Sequence, residues 1–317
     1  MTPADSTPPG FYKGVGLAAI TAGLWGMLPI LMDAALTVFH SGTVVWFRFT
    51  FAFLFLFIFL AWKNGNATTI LKRPPLAGVL SGACLAGNYY LFMEGVRLSS
   101  PSNCAVVIQS APIMLVLIGV LYFKETLNRM QAMGFAIAVL GFTLFFAEQG
   151  RNAVEVGSYI EADLVITLAA LLWAVYMALQ KRLQDRFSSQ DLNLLVYGTA
   201  AVFLFLMVDW RDFAAPGAVG WVLIVVLGIN TLLAYGCLTE AIKYIPLSLI
   251  SVIVALNPFL TLMLMQVVPA LFPEWVRPET ITLMGFTGAA IAIGGVILVI
   301  RYHTKPASKV MPEEPPS

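Results

Sequence analysis

The stretch NYYLFMEGVRLSSPS, Asn88 to Ser102, recurs in outline as AYGCLTEAIKYIPLS, Ala234 to Ser248. In both copies a Tyr precedes a Glu by five residues, and a basic residue follows that Glu by three. Each copy lies at the end of a long apolar run, where charge is costly. Because the same costly arrangement occurs twice, we infer that the chain contains a duplicated unit.

The composition is that of a polytopic membrane protein. Of 317 residues, 59% are hydrophobic and only 11% are charged, against about 25% charge in soluble domains. The lipid bilayer is therefore an expected partner. A net charge of +1 provides no basic surface for nucleic acid, and the three Cys and two His predict neither a disulfide framework nor a metal site.

Ten apolar runs are long enough to cross a hydrocarbon core of about 30 Å, which needs roughly 20 helical residues. They lie near 14–36, 42–62, 75–97, 101–122, 130–147, 160–180, 192–209, 218–241, 246–268 and 280–300. If the N-terminus is cytoplasmic, 13 of the 18 Lys and Arg residues fall on the cytoplasmic side and four on the outer side. This bias predicts that both termini are cytoplasmic.

Corresponding features recur about 146 residues apart in the same order. The matched pairs are Tyr89 and Tyr235, Glu94 and Glu240, Pro112 and Pro258, and Trp25 and Trp173. A unit of five spans is odd-numbered, so its second copy enters the membrane from the opposite side. The predicted fold is all-α, with ten transmembrane helices arranged as two inverted five-helix repeats.

The predicted organisation has five parts. They are a disordered cytoplasmic lead at 1–13, a first repeat at 14–147, an external linker at 148–159, a second repeat at 160–301 and a disordered cytoplasmic tail at 302–317.

Charged residues near the span ends leave two interpretations open. Glu94 with Arg97, and Glu240 with Lys243, form i,i+3 pairs that suit an interfacial ion pair. Either glutamate could instead titrate during transport or act as a gate. Arg48 lies about 9 Å into span 2, and Asp33 is in the same leaflet, so we hypothesise an ion pair between them, with snorkelling as the alternative.

Two prolines lie near the bilayer midplane, approached from opposite faces. Pro112 is about 16 Å into span 4 and Pro258 about 18 Å into span 9. Each proline removes a helix hydrogen bond, and Gln109 and Asn257 lie beside them. Kinked helices with amides at mid-depth fit a polar binding site, although simple packing kinks remain an alternative.

Aromatic residues are concentrated at the same depth. Trp25 and Trp173 lie about 12 residues into their spans, away from the interfaces where membrane Trp is usual. Tyr residues of spans 3, 6 and 8 share this depth, namely Tyr89, Tyr90, Tyr176 and Tyr235. They predict either an aromatic cavity for a small amphipathic solute or buried aromatic packing.

Short motifs in a fixed order accompany the duplication: GLWG at 23–26, WFRF at 46–49, SAP at 110–112, FKE at 123–125 and NP at 257–258. With them, the chain from about 14 to 301 resembles the EamA family of the drug/metabolite transporter superfamily. The resemblance implies a central cavity lined by spans 1, 3, 4, 6, 8 and 9, with spans 5 and 10 at the periphery. The residues carried onto the lining spans are Trp25, Tyr89, Tyr90, Gln109, Trp173, Tyr176, Tyr235 and Asn257.

The resemblance implies a secondary transporter of small metabolites, most simply an exporter of amino acids or related compounds that works by alternating access. Span 1 lacks a mid-membrane glutamate, which argues against drug–proton antiport. Uptake of an aromatic nutrient such as riboflavin is an alternative, and a passive channel or lipid flippase is an alternative of another class.

The absence of HExxH, GxSxG and P-loop motifs predicts no enzymatic activity and no cofactor. The expected location is a bacterial inner membrane. The oligomeric state is left open, and a monomer is compatible with the sequence.

Overall fold

The computed structural model describes residues 9–64, 69–98, 107–108, 110–152, 160–257, 259–261, 263–264 and 283–302. Within these ranges all regular structure is helical and no strand occurs. Seven of the described helices are long and apolar enough to cross a membrane, and shorter apolar helices cover Ser110–Leu121, Arg129–Gly141 and Leu247–Thr261. The chain is therefore an all-α, multi-span membrane protein.

The main helices are labelled in chain order. They are α1 Phe11–Leu36, α2 Ser41–Asn64, α3 Leu76–Leu98, α4 Ser110–Leu121, α5 Arg129–Asn152, α6 Ile160–Leu183, α7 Ser189–Leu204, α8 Gly217–Ala241, α9 Leu247–Val254 and α10 Leu283–Arg301. A single helical turn at Thr69–Lys72 precedes α3, and two 3-10 turns, Phe205–Met207 and Trp210–Phe213, connect α7 to α8.

Several helix ends differ from the apolar runs that predicted them. Helix α1 begins at Phe11, directly after Gly10 in a left-handed conformation (φ 78°), so residues 11–13 of the predicted lead are helical. Helix α5 continues to Asn152, into the predicted linker. Backbone hydrogen bonds can extend a helix through polar residues, whereas an apolar run reports only the part that lies in hydrocarbon.

Two helix starts are capped as their sequences specify. At α5, the Asn128 backbone N–H donates to Gln131 Oε1 at 3.0 Å and the Gln131 N–H donates to Asn128 Oδ1 at 2.8 Å. At α7, the Asp191 N–H donates to Ser188 Oγ at 3.1 Å. Such caps each stabilise a helix by about 1 kcal/mol.

Large apolar side chains cover the outside of the bundle. Ile58 and Trp62 of α2 are 64% and 84% exposed, and Leu206 after α7 is 90% exposed. In water such a surface would aggregate, whereas in a bilayer it contacts lipid. The long helices also satisfy their own backbone polar groups, as hydrocarbon requires.

The most extensive helix contacts join the first five helices to the last five. Helix α1 packs on α8 and α9, α2 on α7 and α8, α3 on α6 and α7, α4 on α6 and α9, and α5 on α10. If each helix is replaced by the one five places away, so that α1 becomes α6 and α6 becomes α1, the same set of helix pairs results. The centre of the bundle therefore lies between the two halves of the chain.

Helices α5 and α10 approach each other closely through glycines. A Cβ atom on Gly134 would lie 2.9 Å from the Gly295 carbonyl oxygen, and one on Gly295 would lie 2.6 Å from the Gly134 carbonyl oxygen. A Cβ on Gly141 would collide with the Ala292 backbone, whereas one on Gly294 would meet nothing within 4 Å. Small residues thus allow the two backbones to touch, and we infer that this pair of helices is a packing scaffold.

Candidate functional site

Corresponding residues of the two halves meet at the centre of the bundle. The hydroxyl oxygens of Tyr89 on α3 and Tyr235 on α8 are 3.0 Å apart. The Trp25 ring on α1 and the Trp173 ring on α6 are edge to face, 6.1 Å between centroids. Because these are the pairs that recur along the sequence, the duplication converges on one place.

Tyr235 is the hub of this aromatic cluster. Its ring lies 5.4 Å from that of Trp25 and 6.0 Å from that of Tyr176, both edge to face. Phe49 of α2 packs against the Tyr89 ring at 5.2 Å. Each such pair contributes about 0.5–1.5 kcal/mol beyond the area that it buries, so the cluster joins helices α1, α2, α3, α6 and α8.

Amide side chains around the cluster bond to backbone carbonyls of the other half. Asn88 on α3 donates to the Ala169 carbonyl on α6, and Asn230 on α8 donates to the Leu24 carbonyl on α1, both at 2.8 Å. Within the second half, Asn193 Nδ2 donates to the Tyr235 carbonyl at 3.2 Å. Buried hydrogen bonds of this kind fix how the helices are rotated about their axes.

Other buried polar atoms near the cluster have no hydrogen-bond partner in the described part of the chain. They include Trp25 Nε1, both side-chain polar atoms of Gln180, Asn230 Oδ1 and Arg48 Nη2. Gln180 follows Trp173 by seven residues and Tyr176 by four, so the three share one face of α6. Buried polar groups normally pair, so these atoms are free to bond a polar solute.

The structure brings five of the eight predicted binding residues together: Trp25, Tyr89, Trp173, Tyr176 and Tyr235. Tyr90 is 48% exposed, because neighbouring residues on a helix point about 100° apart. The backbone carbonyl of Asn257 lies close to α1 at Gly26. Gln109 and Pro258 lie outside the described residues.

Pro112 lies in the first turn of α4 and not in the middle of a longer helix. The Ile108 carbonyl, which we expected the proline to leave free, accepts a hydrogen bond from the Ala111 N–H at 2.9 Å. A proline is well tolerated in a first turn, where its missing N–H has no intrahelical partner to lose. Pro112 is thus the third residue of α4, and the predicted kink of span 4 stays a prediction, because residues 101–106 and 109 lie outside the described residues.

Several polar contacts tie the helices together at the end of the bundle that carries Lys13, Lys181 and Lys243, called here the basic end. Glu240 accepts from Lys243 Nζ at 2.8 Å, from Ser189 Oγ at 2.7 Å and from the Tyr244 hydroxyl at 3.2 Å. The predicted Glu240–Lys243 pair is therefore formed and anchors α7 to α8. In the corresponding pair of the first half, Glu94 with Arg97, the Arg97 side chain lies outside the described residues.

Glu125, at the end of the FKE motif, is a functional candidate that the sequence did not single out. Its carboxylate accepts from Lys181 Nζ of α6 at 2.5 Å and from the Leu247 and Ser248 backbone N–H groups of α9 at 2.9 and 3.1 Å. The free N–H groups of a helix start are the donors that a carboxylate satisfies best. Glu125 therefore latches the α4–α5 connection of one half to two helices of the other.

The charge of this latch is stable at neutral pH. Burial would raise the pKa of Glu125, but the Lys181 charge and the hydrogen bonds from Lys181 and Ser248 outweigh burial and hold the pKa below its ordinary 4.5. A cavity of about 560 Å³ opens nearby, lined by residues that include Phe123, Lys181 and Lys243. It lies at the basic end.

At the opposite end, His40 between α1 and α2 bonds to the α7–α8 connection. Its Nδ1 lies 2.8 Å from Asp212 Oδ1 and 3.8 Å from Asp209 Oδ2. The hydrogen bond and charge of Asp212 raise the pKa of His40 above 6.5. Neighbouring residues in the sequence give no sign of these contacts, because Asp209 and Asp212 are distant from His40 along the chain. The three side chains come within metal-ligand distance of one another.

Comparisons with known proteins agree with this architecture. The model of the EamA-like transporter family matches twice, over residues 12–147 and 160–301. An uncharacterized transporter of Haemophilus influenzae is 28% identical over 287 residues, covering 90% of this chain and 94% of that protein. The uncharacterized inner membrane transporter YhbE of Escherichia coli K12 is 29% identical over 297 residues, covering 90% of each.

A solved crystal structure shares the fold, with a TM-score of 0.74 over 91% of this chain and 97% of that one at 18% identity. The resemblance inferred from the short motifs is thus confirmed by the family match over nearly the whole chain. This multi-span membrane protein belongs to the EamA-like transporter family.

Proposed function

We propose that the chain is a secondary transporter of small metabolites, exporting amino acids or related compounds by alternating access. In this proposal ten helices cross a bacterial inner membrane as two inverted five-helix repeats, and both termini are cytoplasmic. The twofold family match and the helix pairing, which maps onto itself when the halves are exchanged, support the repeat. The excess of Lys and Arg on one side supports the orientation.

The observation that carries the proposal is the meeting of Tyr89 with Tyr235 and of Trp25 with Trp173 between the halves. A site at the interface of two repeats is exposed to one side or the other as the repeats rock. Within the described part of the chain, the buried Nε1 of Trp25 in this cluster has no hydrogen-bond partner, and neither do the polar atoms of Gln180, one helical turn after Tyr176. Aromatic faces with a few free donors suit an amphipathic metabolite.

The contacts at the two ends provide the gates in this mechanism. At the basic end, Glu125 joins the α4–α5 connection to α6 and α9, and Glu240 joins α8 to α7 through Ser189. Opening that end would break the Glu125 latch while the central Tyr89–Tyr235 contact parts. The opposite end, with His40 and Asp212, would close in turn.

Metabolite profiling tests the proposal. Cells that overproduce the chain should accumulate specific small metabolites in the medium relative to vector controls, and deletion strains should retain them. The aromatic cluster also suits an aromatic nutrient. If the medium is unchanged and the cells take up such a nutrient, the direction of transport is inward and not outward. Saturable counterflow of the identified compound in liposomes is expected of a carrier, whereas non-saturable flux would indicate a channel.

A further inference from the structure

Arg48 is a fully buried cation in the middle of α2. Its side chain is 0% exposed, and it is the one lysine or arginine in the described part of the chain that is buried. Its Nε donates to Thr231 Oγ1 of α8 at 2.8 Å and its Nη1 contacts the Met32 sulfur of α1 at 3.5 Å. Its Nη2 has no hydrogen-bond partner within the described ranges.

The partners of Arg48 do not balance its charge. A guanidinium stays protonated in proteins, and a buried charge is costly unless it is paired with an opposite one. A hydroxyl and a thioether are neutral, and the described side chains include no salt bridge to Arg48. Among the described side chains, Arg48 therefore has no counter-charge.

The guanidinium is nevertheless held in a fixed position. Thr231 donates its own hydroxyl hydrogen to the Leu227 carbonyl at 2.9 Å, which turns a lone pair of the hydroxyl oxygen toward Arg48. A side chain that is anchored on one edge and unsatisfied on the other is organised to bind an anion. The orientation of Arg48 is thus built into α8 and does not depend on a ligand.

The unsatisfied guanidinium lies beside the aromatic cluster. It is 5.5 Å from the centre of the Tyr89 ring, and the Tyr89 hydroxyl is 3.0 Å from that of Tyr235. A small molecule whose anionic group bonds Arg48 would have the rest of its body beside Tyr89 and the cluster that Tyr89 joins. Charge and apolar surface are thus arranged side by side at the interface of the two halves.

We propose that Arg48 binds a carboxylate of the transported metabolite, so that the substrates are small carboxylic acids, amino acids included, with an apolar body. This inference rests on the proposed transport function. A single buried cation balances one negative charge, which favours a carboxylate over a phosphate dianion. The unpartnered Nη2 can donate a charge-assisted hydrogen bond to a carboxylate oxygen.

Asp33 of α1 is the alternative source of the same carboxylate chemistry. It follows Met32, whose sulfur contacts Arg48, and its own side chain lies outside the described set. The predicted ion pair with Asp33 and a bound substrate carboxylate would each supply the negative charge that the described partners of Arg48 lack. If Asp33 pairs with Arg48, the variant Asp33→Asn should lose folding. If a substrate carboxylate does, Asp33→Asn should fold and keep its preference for the acid.

The experiment begins with cells that overproduce the full chain. Untargeted mass spectrometry of the medium identifies the exported compounds, and the purified protein is then titrated with each compound and with its carboxamide. Wild type should bind the acid about ten- to hundredfold more tightly than the amide, the range expected for a charge-assisted hydrogen bond. Arg48→Gln should bind the two within about threefold, whereas Arg73→Gln, at an exposed arginine, should behave as wild type.

Two further variants keep the test decisive if Arg48→Gln does not fold. Thr231→Val keeps the side-chain shape but removes the hydroxyl that orients Nε, and it should lower the affinity for the acid about three- to tenfold without affecting the amide. Asp33→Asn should fold and retain the preference for the acid. Unchanged acid affinity in Thr231→Val would overturn the proposal.

The other outcomes separate this proposal from the transport function. Exported compounds without a carboxylate, or a preference for the acid that persists in Arg48→Gln, would overturn the role of Arg48 while leaving transport intact. If Asp33→Asn does not fold and the double variant with the two charges exchanged does, then Asp33 is the counter-charge of Arg48. That outcome would also overturn the proposed role of Arg48. A medium indistinguishable from the vector control would remove the transport function, and this inference with it.

Discussion

Replacing Glu125 with Gln should open the basic end of the bundle. Gln keeps the shape of the side chain and one acceptor for the α9 N–H groups, but it loses the ion pair with Lys181. The Glu125 and Lys181 side chains are only 9% and 23% exposed, so the pair is poorly screened by solvent. A charge-assisted hydrogen bond of this kind contributes about 1.5–3 kcal/mol.

Taking a loss of about 2 kcal/mol, the population of the state open at the basic end should rise roughly thirtyfold in Glu125→Gln. Ser189, at the start of α7, is a suitable reporter because it is 4% exposed and bonds to Glu240. In a background without the natural cysteines, Ser189→Cys should react with a maleimide in proportion to the open population. The matched control is Glu161→Gln, at an exposed carboxylate of α6.

The pH dependence of labelling provides a second measurement on the same variants. Because the folded pKa of Glu125 is lowered, the contribution of the latch is fully present above about pH 4.5 and is lost as the pH falls through the lowered value. Labelling in the wild-type background should be flat from pH 8 to pH 5 after correction for thiol reactivity, and should rise at lower pH. A labelling rate in Glu125→Gln within threefold of the Glu161→Gln control would refute the latch.

Three other predictions follow from the packing and the polar contacts. Gly141→Val should destabilise the protein by about 1–3 kcal/mol because the Val side chain would overlap the α10 backbone. Gly294→Val, which faces open space, should not destabilise it. Thermal unfolding in nanodiscs compares the two variants. Tyr89→Phe and Tyr235→Phe each remove one side of a hydroxyl pair, so the double variant should lower transport little more than either single variant, and additive losses would contradict the contact. Because the pKa of His40 is raised, the stability that its bond to the α7–α8 connection contributes is fully present below about pH 6.5 and is lost as the pH rises through the raised value. Unfolding scans from pH 5 to 9 should show this loss of stability in wild type. An identical loss in His40→Gln would exclude His40 as its cause.

The sequence was a good guide to features that are encoded locally. Membrane crossing depends on the hydropathy of some twenty consecutive residues, so the helices could be read from apolar runs. The duplication could be read from matched spacings, and the matched residues Tyr89 and Tyr235 are in contact. Gln180 could also have been recognised, because it lies one heptad after Trp173 on an apolar helix.

The sequence was a poor guide to contacts between distant segments. Glu125 bonds residues 122 and 123 positions away, and His40 bonds Asp212 at a separation of 172. No spacing rule links such positions, because their proximity depends on how the helices pack. Tyr90 illustrates the finer limit, since membrane depth can be read from sequence but the rotation of a helix about its axis cannot.

By itself, the sequence determined that this chain is a multi-span helical membrane protein and that its two halves match. Hydrophobicity and helix period act within one segment, so they need no knowledge of the rest of the chain. Only the tertiary structure decided which side chains meet: Arg48 with Thr231 and the Tyr89 ring, and Glu125 with the first turn of α9. Charge pairing depends on distances of a few ångströms between helices, and these are set by the packing of the whole bundle.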